Sequence, residues 1–293
     1  MTSPLHAPYL ADRATHERVT VIDNERLARD TYRVRFHSPR LAQRITPGQF
    51  VMLRLADYDD PLLGRPLALY DTVLSPAGEP IGIDVVYLVL GKMTRKLAQF
   101  QPGQSLEVWG PLGNGFVPRP TEHLVMVAGG IGQTPFPALA REASGLRRYG
   151  DPPRTAPRAS KITLCYGART ADYFAGLADF ESLGIDVRLA TEDGSRGVQG
   201  RVTLLLEAVL RESPNARQQC RIVCCGPEPM MEAVAHMAAQ HDVPCEASLE
   251  TPMACGIGIC FSCVAKVKDD AGSWDYKRTC VEGPVFDAAK IEW

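Results

Sequence analysis

Two textures of apolar and polar positions follow each other along the chain. From about Arg18 to Phe116, short β-branched runs are cut by Pro and Gly turns. Arg18–Ile22, Tyr32–Phe36, Phe50–Leu55, Ile83–Val89 and Ser105–Trp109 read as strands, with Thr46-Pro47-Gly48 and Gln101-Pro102-Gly103 as turns between them. Regular turn punctuation between many short strands predicts a small antiparallel barrel or sandwich. Met93–Phe100 predicts a single helix between the last strands.

From about Glu122 to Val243 the pattern changes to near-continuous apolar runs, each followed by a helical stretch. His123–Ala128, Lys161–Tyr166, Asp186–Thr191 and Arg221–Cys225 are buried-type strands, and their alternation with helices predicts a parallel sheet covered on both faces. Arg148–Ser160, rich in Pro and Arg, reads as an exposed loop. The last stretch, from about Pro244 to Trp293, is dominated by Cys and Gly. A segment that short buries little apolar surface alone and needs another source of stability. The predicted organisation is therefore α/β plus all-β: a disordered leader (1–15), a β-barrel domain (16–118), an α/β domain (119–243) and a small C-terminal module (244–293).

Composition narrows the function classes. Of 293 residues, 45% are apolar and 23% charged, and the formal net charge is −2. Such a balance provides no basic field for nucleic acid or an anionic membrane surface. No uncharged apolar run reaches the roughly 18 residues of a membrane span. Met1–Thr15 has no apolar core of a secretion signal, so cytoplasm is the expected compartment.

Nine cysteines change the picture more than any other count. Five are scattered: Cys165, Cys220, Cys224, Cys225 and Cys245. Four are spaced as Cys255-x4-Cys260-x2-Cys263, then sixteen residues (264–279) to Cys280. An odd total in a long chain argues against a disulfide framework and for a metal site. The C-x4-C-x2-C run with one distant partner is the plant-type [2Fe-2S] arrangement, and Gly256 and Gly258 give its loop the freedom to wrap a cluster. Structural zinc favours two C-x2-C knuckles, of which one is present.

Two further constellations carry chemistry. Arg65-Pro66-Leu67-Ala68 sits at a barrel strand, where a guanidinium can grip a pyrophosphate and extended backbone can run along a flavin ring. Val86-Tyr87-Leu88 on a following strand is expected to offer an aromatic face, and Met93-Thr94 a helix N-terminus for phosphate. The second constellation is Gly129-Gly130-Ile131-Gly132, which follows a buried strand and is expected to open a helix. There Thr134 would cap and Pro135 take the first helical position. It is not the G-x-G-x-x-G fingerprint, but two later strand ends support a nicotinamide site. Glu192 and Asp193 would accept from ribose hydroxyls, and Cys225-Gly226-Pro227 would lie at the carboxyl edge of the sheet. Arg196 nearby bears on NAD against NADP, and NAD is preferred.

Arg65-Pro66-x-Ala68, Gly129-Gly130-Ile131-Gly132 and Cys225-Gly226-Pro227 resemble the signatures of the ferredoxin–NADP reductase superfamily. Glu250-Thr251-Pro252-Met253-Ala254-Cys255-Gly256-Ile257-Gly258-Ile259-Cys260, with Cys263 and Cys280-Val281-Glu282-Gly283-Pro284-Val285-Phe286, resembles the electron-transfer subunits of class 1B dihydroorotate dehydrogenase. The resemblance implies that Arg65–Ala68, Val86–Leu88, Met93 and Thr94 contact FAD. It implies that Cys255, Cys260, Cys263 and Cys280 hold the cluster, and that Gly129–Thr134 and Cys225–Pro227 bound the pocket for NAD(H). It further implies an FMN-containing catalytic partner, in a heterotetramer of pyrimidine biosynthesis, and no dihydroorotate chemistry of this chain's own. The family usually has Ser where Ala68 stands and Gly where Met93 stands. Two other readings are an NADH/NADPH–ferredoxin, sulfur- or hydrogenase-linked subunit with the same cofactors, and a zinc-stapled binding module.

Overall fold

The computed structural model describes residues 13–213 and 215–293. The expected leader lies outside the described residues up to position 12, and Thr15 already opens the first strand.

Six strands close an antiparallel barrel: β1 (Thr15–Ala28), β2 (Thr31–His37), β3 (Phe50–Leu55), β4 (Arg65–Leu74), β5 (Pro80–Leu88) and β6 (Ser105–Leu112), in the order β1-β2-β5-β4-β3-β6. Two short helices, α1 (Pro39–Arg44) and α2 (Lys92–Leu97), accompany it. Val34, Phe36, Val51, Leu53, Ile83, Val85, Leu106 and Val108 fill the interior, each worth about 1.5–3 kcal/mol of burial. Strand β3 does not alternate as a half-exposed strand would, because both its faces are covered. Val51, Leu53 and Leu55 point into the barrel, whereas Phe50 and Met52 pack outward against Cys263, Cys280 and Val281.

The second half runs β7 (His123–Gly129), α3 (Phe136–Ala143), β8 (Lys161–Ala168), α4 (Leu177–Glu181), β9 (Asp186–Thr191), β10 (Val198–Gln199), α5 (Thr203–Arg211), α6 (Ala216–Gln219), β11 (Cys220–Cys225), α7 (Glu228–Gln240) and β12 (Cys245–Ser248). After it come β13 (Val264–Lys268), β14 (Trp274–Arg278) and β15 (Val285–Asp287). The sheet order is β10-β9-β8-β7-β11-β12-β15, parallel except for β15. Val125, Val127, Ile222 and Cys224 face α5 and α7 on one side. Met126, Ala128, Val223 and Cys225 face Phe136 and Phe180 on the other.

One expectation is corrected here. The sheet does not stop at residue 243: β12 and β15 extend it past β11, which covers an edge that would otherwise stay unpaired. Only the cysteine loop and the β13–β14 hairpin stand apart, which explains how so short a segment is held. The Arg148–Ser160 stretch is the exposed loop expected, anchored to the body at two points. Tyr149 is buried and its hydroxyl donates to Asp71 Oδ1 at 2.8 Å, while Arg154 pairs twice with buried Glu142 at 2.7 Å. Buried carboxylates require such partners, and this loop supplies them.

The two halves meet through the same residues. Asp71 on β4 accepts from Arg147 Nη1 at 2.7 Å and is ion-paired with Arg141, whose Nε lies 2.7 Å from Oδ2, and Tyr70 donates to Asp179 Oδ2 at 2.5 Å.

Candidate cofactor sites

A cavity of about 690 Å³ lies between the barrel and the carboxyl ends of the parallel strands. The barrel contributes Asp30, Thr31 and Leu88–Leu90. The sheet contributes Gly129–Ile131, Gly167–Arg169, Glu192, Gly226 and Pro227. This edge is where open α/β sheets take ligands, and the volume lies within the range of small-molecule sites. The glycines have identifiable reasons. Gly130 adopts φ +56° with open space where a Cβ would stand, whereas a Cβ on Gly132 would meet the Cys225 carbonyl oxygen at 2.2 Å. The segment passes through a tight 3-10 turn at Gly130–Gln133, and α3 begins at Phe136. Thr134 has helical backbone and makes no capping bond, and Pro135 stands ahead of the helix, correcting both expected roles.

Of the expected nicotinamide residues, Gly129, Gly130, Ile131, Glu192, Gly226 and Pro227 line the cavity. Cys225 is buried just beneath it, with its Sγ 3.9 Å from Glu250 Oε1. Burial pushes the Cys225 thiol well up, so it stays protonated. Glu250 is exposed along the open cleft, and the protein packed around its carboxyl raises it above the ordinary range. Asp193 is absent from the cavity wall: its Oδ1 accepts from Ser195 N at 3.0 Å and Ser195 Oγ at 2.6 Å. Glu250, Arg169 and Arg201 were not singled out as cleft residues from the sequence, although all three line it. Glu250 opens the Glu-Thr-Pro run ahead of the cysteines, and Arg169 directly follows a strand. Those were the available signals.

The flavin residues divide. Arg65, Pro66, Leu67 and Ala68 lie half-buried on β4, paired with Leu53, Met52, Val51 and Phe50 of β3. Arg65 Nη1 donates to the carbonyls of Leu63 at 3.1 Å and Gly64 at 2.9 Å, leaving its other nitrogens without a partner among the described residues. That half-engaged guanidinium fits a diphosphate, which it can grip with the rest of its fork. Leu88 lines the cavity, and Val86 shares its side of β5 by strand alternation. Tyr87 corrects the expected aromatic platform. Its ring lies in the barrel core, stacked on Tyr32 with centroids 5.9 Å apart, and its hydroxyl donates to Asn24 Oδ1 at 3.0 Å. Met93 is likewise a core residue. Thr94 uses its hydroxyl to accept from the backbone N–H of Leu90 at 3.0 Å and Gly91 at 3.2 Å, so those two amides are already satisfied.

The four late cysteines sit against the outer face of the barrel. Gly256 has φ +73°, and a Cβ there would lie 2.5 Å from Met52 Cγ, so only glycine lets the loop approach β3. Among the described residues no three Cys, His, Asp or Glu side chains form a group able to hold one ion. The thiols fall into pairs instead. Cys263 and Cys280 are buried with sulfurs 3.2 Å apart, and Cys260 neighbours Cys255 on the outer side of the loop. Two pairs suit a two-iron cluster, in which each iron takes two thiolates and sulfides complete its shell; a single zinc requires four ligands converging on one centre. Hydrogen bonds from the Ser262 hydroxyl and backbone draw the Cys260 thiol down to about 6; in the buried pair the shared contact draws Cys263 down to about 6 and pushes Cys280 up, so Cys263 ionises first.

A closed antiparallel barrel, a parallel sheet meeting it at a nucleotide-sized cleft, and a four-cysteine loop on the barrel define an FAD- and NAD-dependent oxidoreductase carrying an iron–sulfur module. Family profiles agree segment by segment. Residues 18–116 match an oxidoreductase FAD-binding domain, residues 126–236 an oxidoreductase NAD-binding domain, and residues 250–292 the iron-sulfur cluster binding domain of dihydroorotate dehydrogenase B. The chain is 35% identical over 91% of its length to the dihydroorotate dehydrogenase B (NAD(+)) electron transfer subunit of Desulforamulus reducens, covering 94% of that protein. It is 36% identical to the corresponding subunit of Geobacillus kaustophilus over 94% of its length and 98% of that protein. The chain belongs to this family of electron transfer subunits. Among solved structures, an NADH-dependent reduced ferredoxin-NADP oxidoreductase superposes with TM-score 0.76 at 27% identity, covering 94% of this chain and 90% of that one. The ferredoxin reductase of a carbazole 1,9a-dioxygenase shares the fold at TM-score 0.63 and 20% identity, over 79% of this chain and 67% of that one.

Proposed function

We propose that this chain takes electrons from the FMN of a dihydroorotate dehydrogenase catalytic subunit and delivers them through its [2Fe-2S] cluster and FAD to NAD+, in the synthesis of UMP. A flavin is the group that converts between single electrons, as a cluster carries them, and the hydride that nicotinamide carries. The chain's own residues bind and orient. Arg65 and the β4 backbone to Ala68 would hold FAD. Cys255, Cys260, Cys263 and Cys280 would hold the cluster. Gly129–Gly132, Glu192 and Gly226-Pro227 would receive the nucleotide. The domain limits 16–118, 119–243 and 244–293 are kept as functional units, with β12 and β15 serving the sheet.

The observation that carries this reading is the seating of the cysteine loop on the strands that also form the flavin site. Trp109 Nε1 donates to Cys255 O at 2.9 Å, and Met52, beneath Gly256, pairs with Pro66. Cluster and flavin would therefore share one wall. Around Cys260 the tip leaves Ile259 74% and Phe261 60% exposed, an apolar rim for the FMN-containing partner. A heterotetramer with that partner, in the cytoplasm, is the assembly proposed; among the described residues no helix is long and apolar enough to cross a membrane.

The test is anaerobic purification with iron, acid-labile sulfide and flavin analysis, followed by assays with and without the catalytic subunit. Expected are about two irons and one FAD per chain, NADH–acceptor activity from the pure chain, and orotate formation only with the partner. Orotate formed by the chain alone, or zinc in place of iron, would overturn it. A ferredoxin-linked role is the second reading, favoured by the ferredoxin-NADP oxidoreductase likeness; failure to associate with the catalytic subunit would point there.

A further inference from the structure

We propose that Tyr173 is the stacking platform for the adenine of FAD, held in place by Arg29 of the barrel. This rests on reading Arg65 and the ends of β4 and β5 as the flavin wall.

The cleft has an aromatic face, and it comes from the sheet half. Tyr166 and Tyr173 both line the cavity, but Tyr166 is fully buried and its hydroxyl accepts from the backbone N–H of Ala175 at 3.2 Å. Tyr173 is half-buried, so its ring is the one left open to a ligand. The loop that carries it is fixed at several points. After β8, Ala171 N donates to Ser195 Oγ at 2.8 Å and Tyr173 N to Thr170 O at 3.2 Å. Across the cleft, Arg29 in the β1–β2 turn donates its backbone N–H to Asp172 O at 2.9 Å and its Nη1 to Asp172 Oδ2 at 3.2 Å. Its guanidinium carbon then stands 5.2 Å from the centre of the Tyr173 ring. A cation over one face holds the ring's orientation and leaves the opposite face for a second planar group. Among the described residues no other ring or cation is stacked on Tyr173.

The position of the ring decides which nucleotide it serves. Asp30, next to Arg29, accepts from Val89 N at 2.7 Å, which ties this turn to the end of β5. Leu88, Leu90, Asp30 and Thr31 all line the cavity, so the flavin wall continues from β5 through the β1–β2 turn to Tyr173. The nicotinamide nucleotide has its own residues at the ends of β7, β9 and β11. With Arg65 on the diphosphate, the adenine beyond it needs a seat of its own. A tyrosine ring suits a purine because stacking uses the π-face and needs no hydrogen-bond match.

The experiment strips flavin from the cluster-loaded chain and titrates it with FAD and with FMN, which lacks the adenosine end. Flavin fluorescence reads binding without turnover. Tyr173→Leu keeps an apolar side chain and removes the ring, whereas Tyr173→Phe keeps the ring. Tyr173→Leu should bind FAD about tenfold more weakly than wild type, with FMN affinity unchanged, and Tyr173→Phe should match wild type for both. Arg29→Ala, on the exposed turn, should weaken FAD binding about threefold and leave FMN binding alone; it serves where Tyr173→Leu fails to fold. Unaltered FAD affinity in Tyr173→Leu overturns the assignment and leaves the flavin reading intact. An equal loss for FAD and FMN overturns it too, because that marks a damaged wall and not an adenine seat. Weaker binding of 5′-AMP by the FAD-loaded Tyr173→Leu chain, with FAD affinity kept, gives the ring to the nicotinamide nucleotide instead. A wild type that takes up no FAD sinks both readings.

Discussion

Trp109 donates its indole N–H to the carbonyl of Cys255 over 2.9 Å, so the last barrel strand grips the backbone of the first cysteine in the loop. The contact spans 146 residues of sequence and fixes where the loop starts its turn. Trp109→Phe keeps the ring's packing and removes the bond, a loss of about 0.5–1.5 kcal/mol. The expected outcome is an intact barrel with normal flavin content and faster bleaching of the iron–sulfur absorbance in air. Gly256→Ala is more severe, because it adds backbone strain to the collision with Met52. Its cluster content should fall well below that of Trp109→Phe, measured as acid-labile sulfide per flavin.

Asp71 accepts from Arg147 and Tyr149 and is ion-paired with Arg141 at the seam between barrel and sheet. Asp71→Asn leaves Arg141 and Arg147, both largely buried, facing each other without a counter-charge. Removing one partner of such a group costs about 3–5 kcal/mol. Urea unfolding at neutral pH should show the loss, and Arg154→Ala, which leaves buried Glu142 without its partner, should cost a comparable amount.

His123 is buried at the start of β7, with Nε2 2.9 Å from Thr163 Oγ1 and Nδ1 3.7 Å from Cys220 Sγ. Burial, then the nearby Lys161 charge, hold its pKa down to about 4 from 6.5. The folded state therefore binds its proton later than the unfolded chain. The stability it contributes is present above pH 6.5 and is lost as pH falls towards 4, by roughly 3 kcal/mol. In His123→Gln the decline of unfolding free energy between pH 7 and pH 5 should be shallower.

Glu250 places a carboxyl in the cleft close to Cys225. The nicotinamide ring is cationic only in NAD+, so a negative charge there favours NAD+ over NADH. Glu250→Gln should weaken NAD+ binding about threefold to tenfold while changing NADH binding less. Since burial raises the Glu250 pKa above its ordinary 4.5, the wild-type preference should fade as pH is lowered towards that raised value. Product inhibition by NAD+ at pH 8 and pH 6 checks it. Equal effects on both nucleotides at either pH would exclude the charge argument.

Much of this was legible in the chain itself. The Phe50–Leu55 and His123–Ala128 runs announced strands because strand periodicity and apolar continuity are local properties. The C-x4-C-x2-C spacing announced a cluster because thiolates on one loop must obey its geometry. Less legible was the direction in which a side chain points. Tyr87 sits one residue from cleft-lining Leu88, yet alternation turns its ring into the barrel. Thr94 sits at a helix start, yet its hydroxyl is consumed by the two preceding amides. Sequence order also hid that β12 and β15 complete the main sheet, since strand pairing across forty residues leaves no local mark.

The sequence by itself determined the cofactor classes, since thiolate spacing, a guanidinium beside extended backbone and glycine turns are requirements of ligand chemistry that only certain residues meet. Tertiary structure alone decided which charges remain for a ligand. Asp193 and Glu192 are adjacent acids in the chain; folding ties one to Ser195 and turns the other into the cleft beside Arg169. The tie of Asp193 to Ser195 is a local turn two residues long, whereas the place of Glu192 depends on backbone bonds to Ala168 and Arg169 at another strand end, which no local pattern encodes.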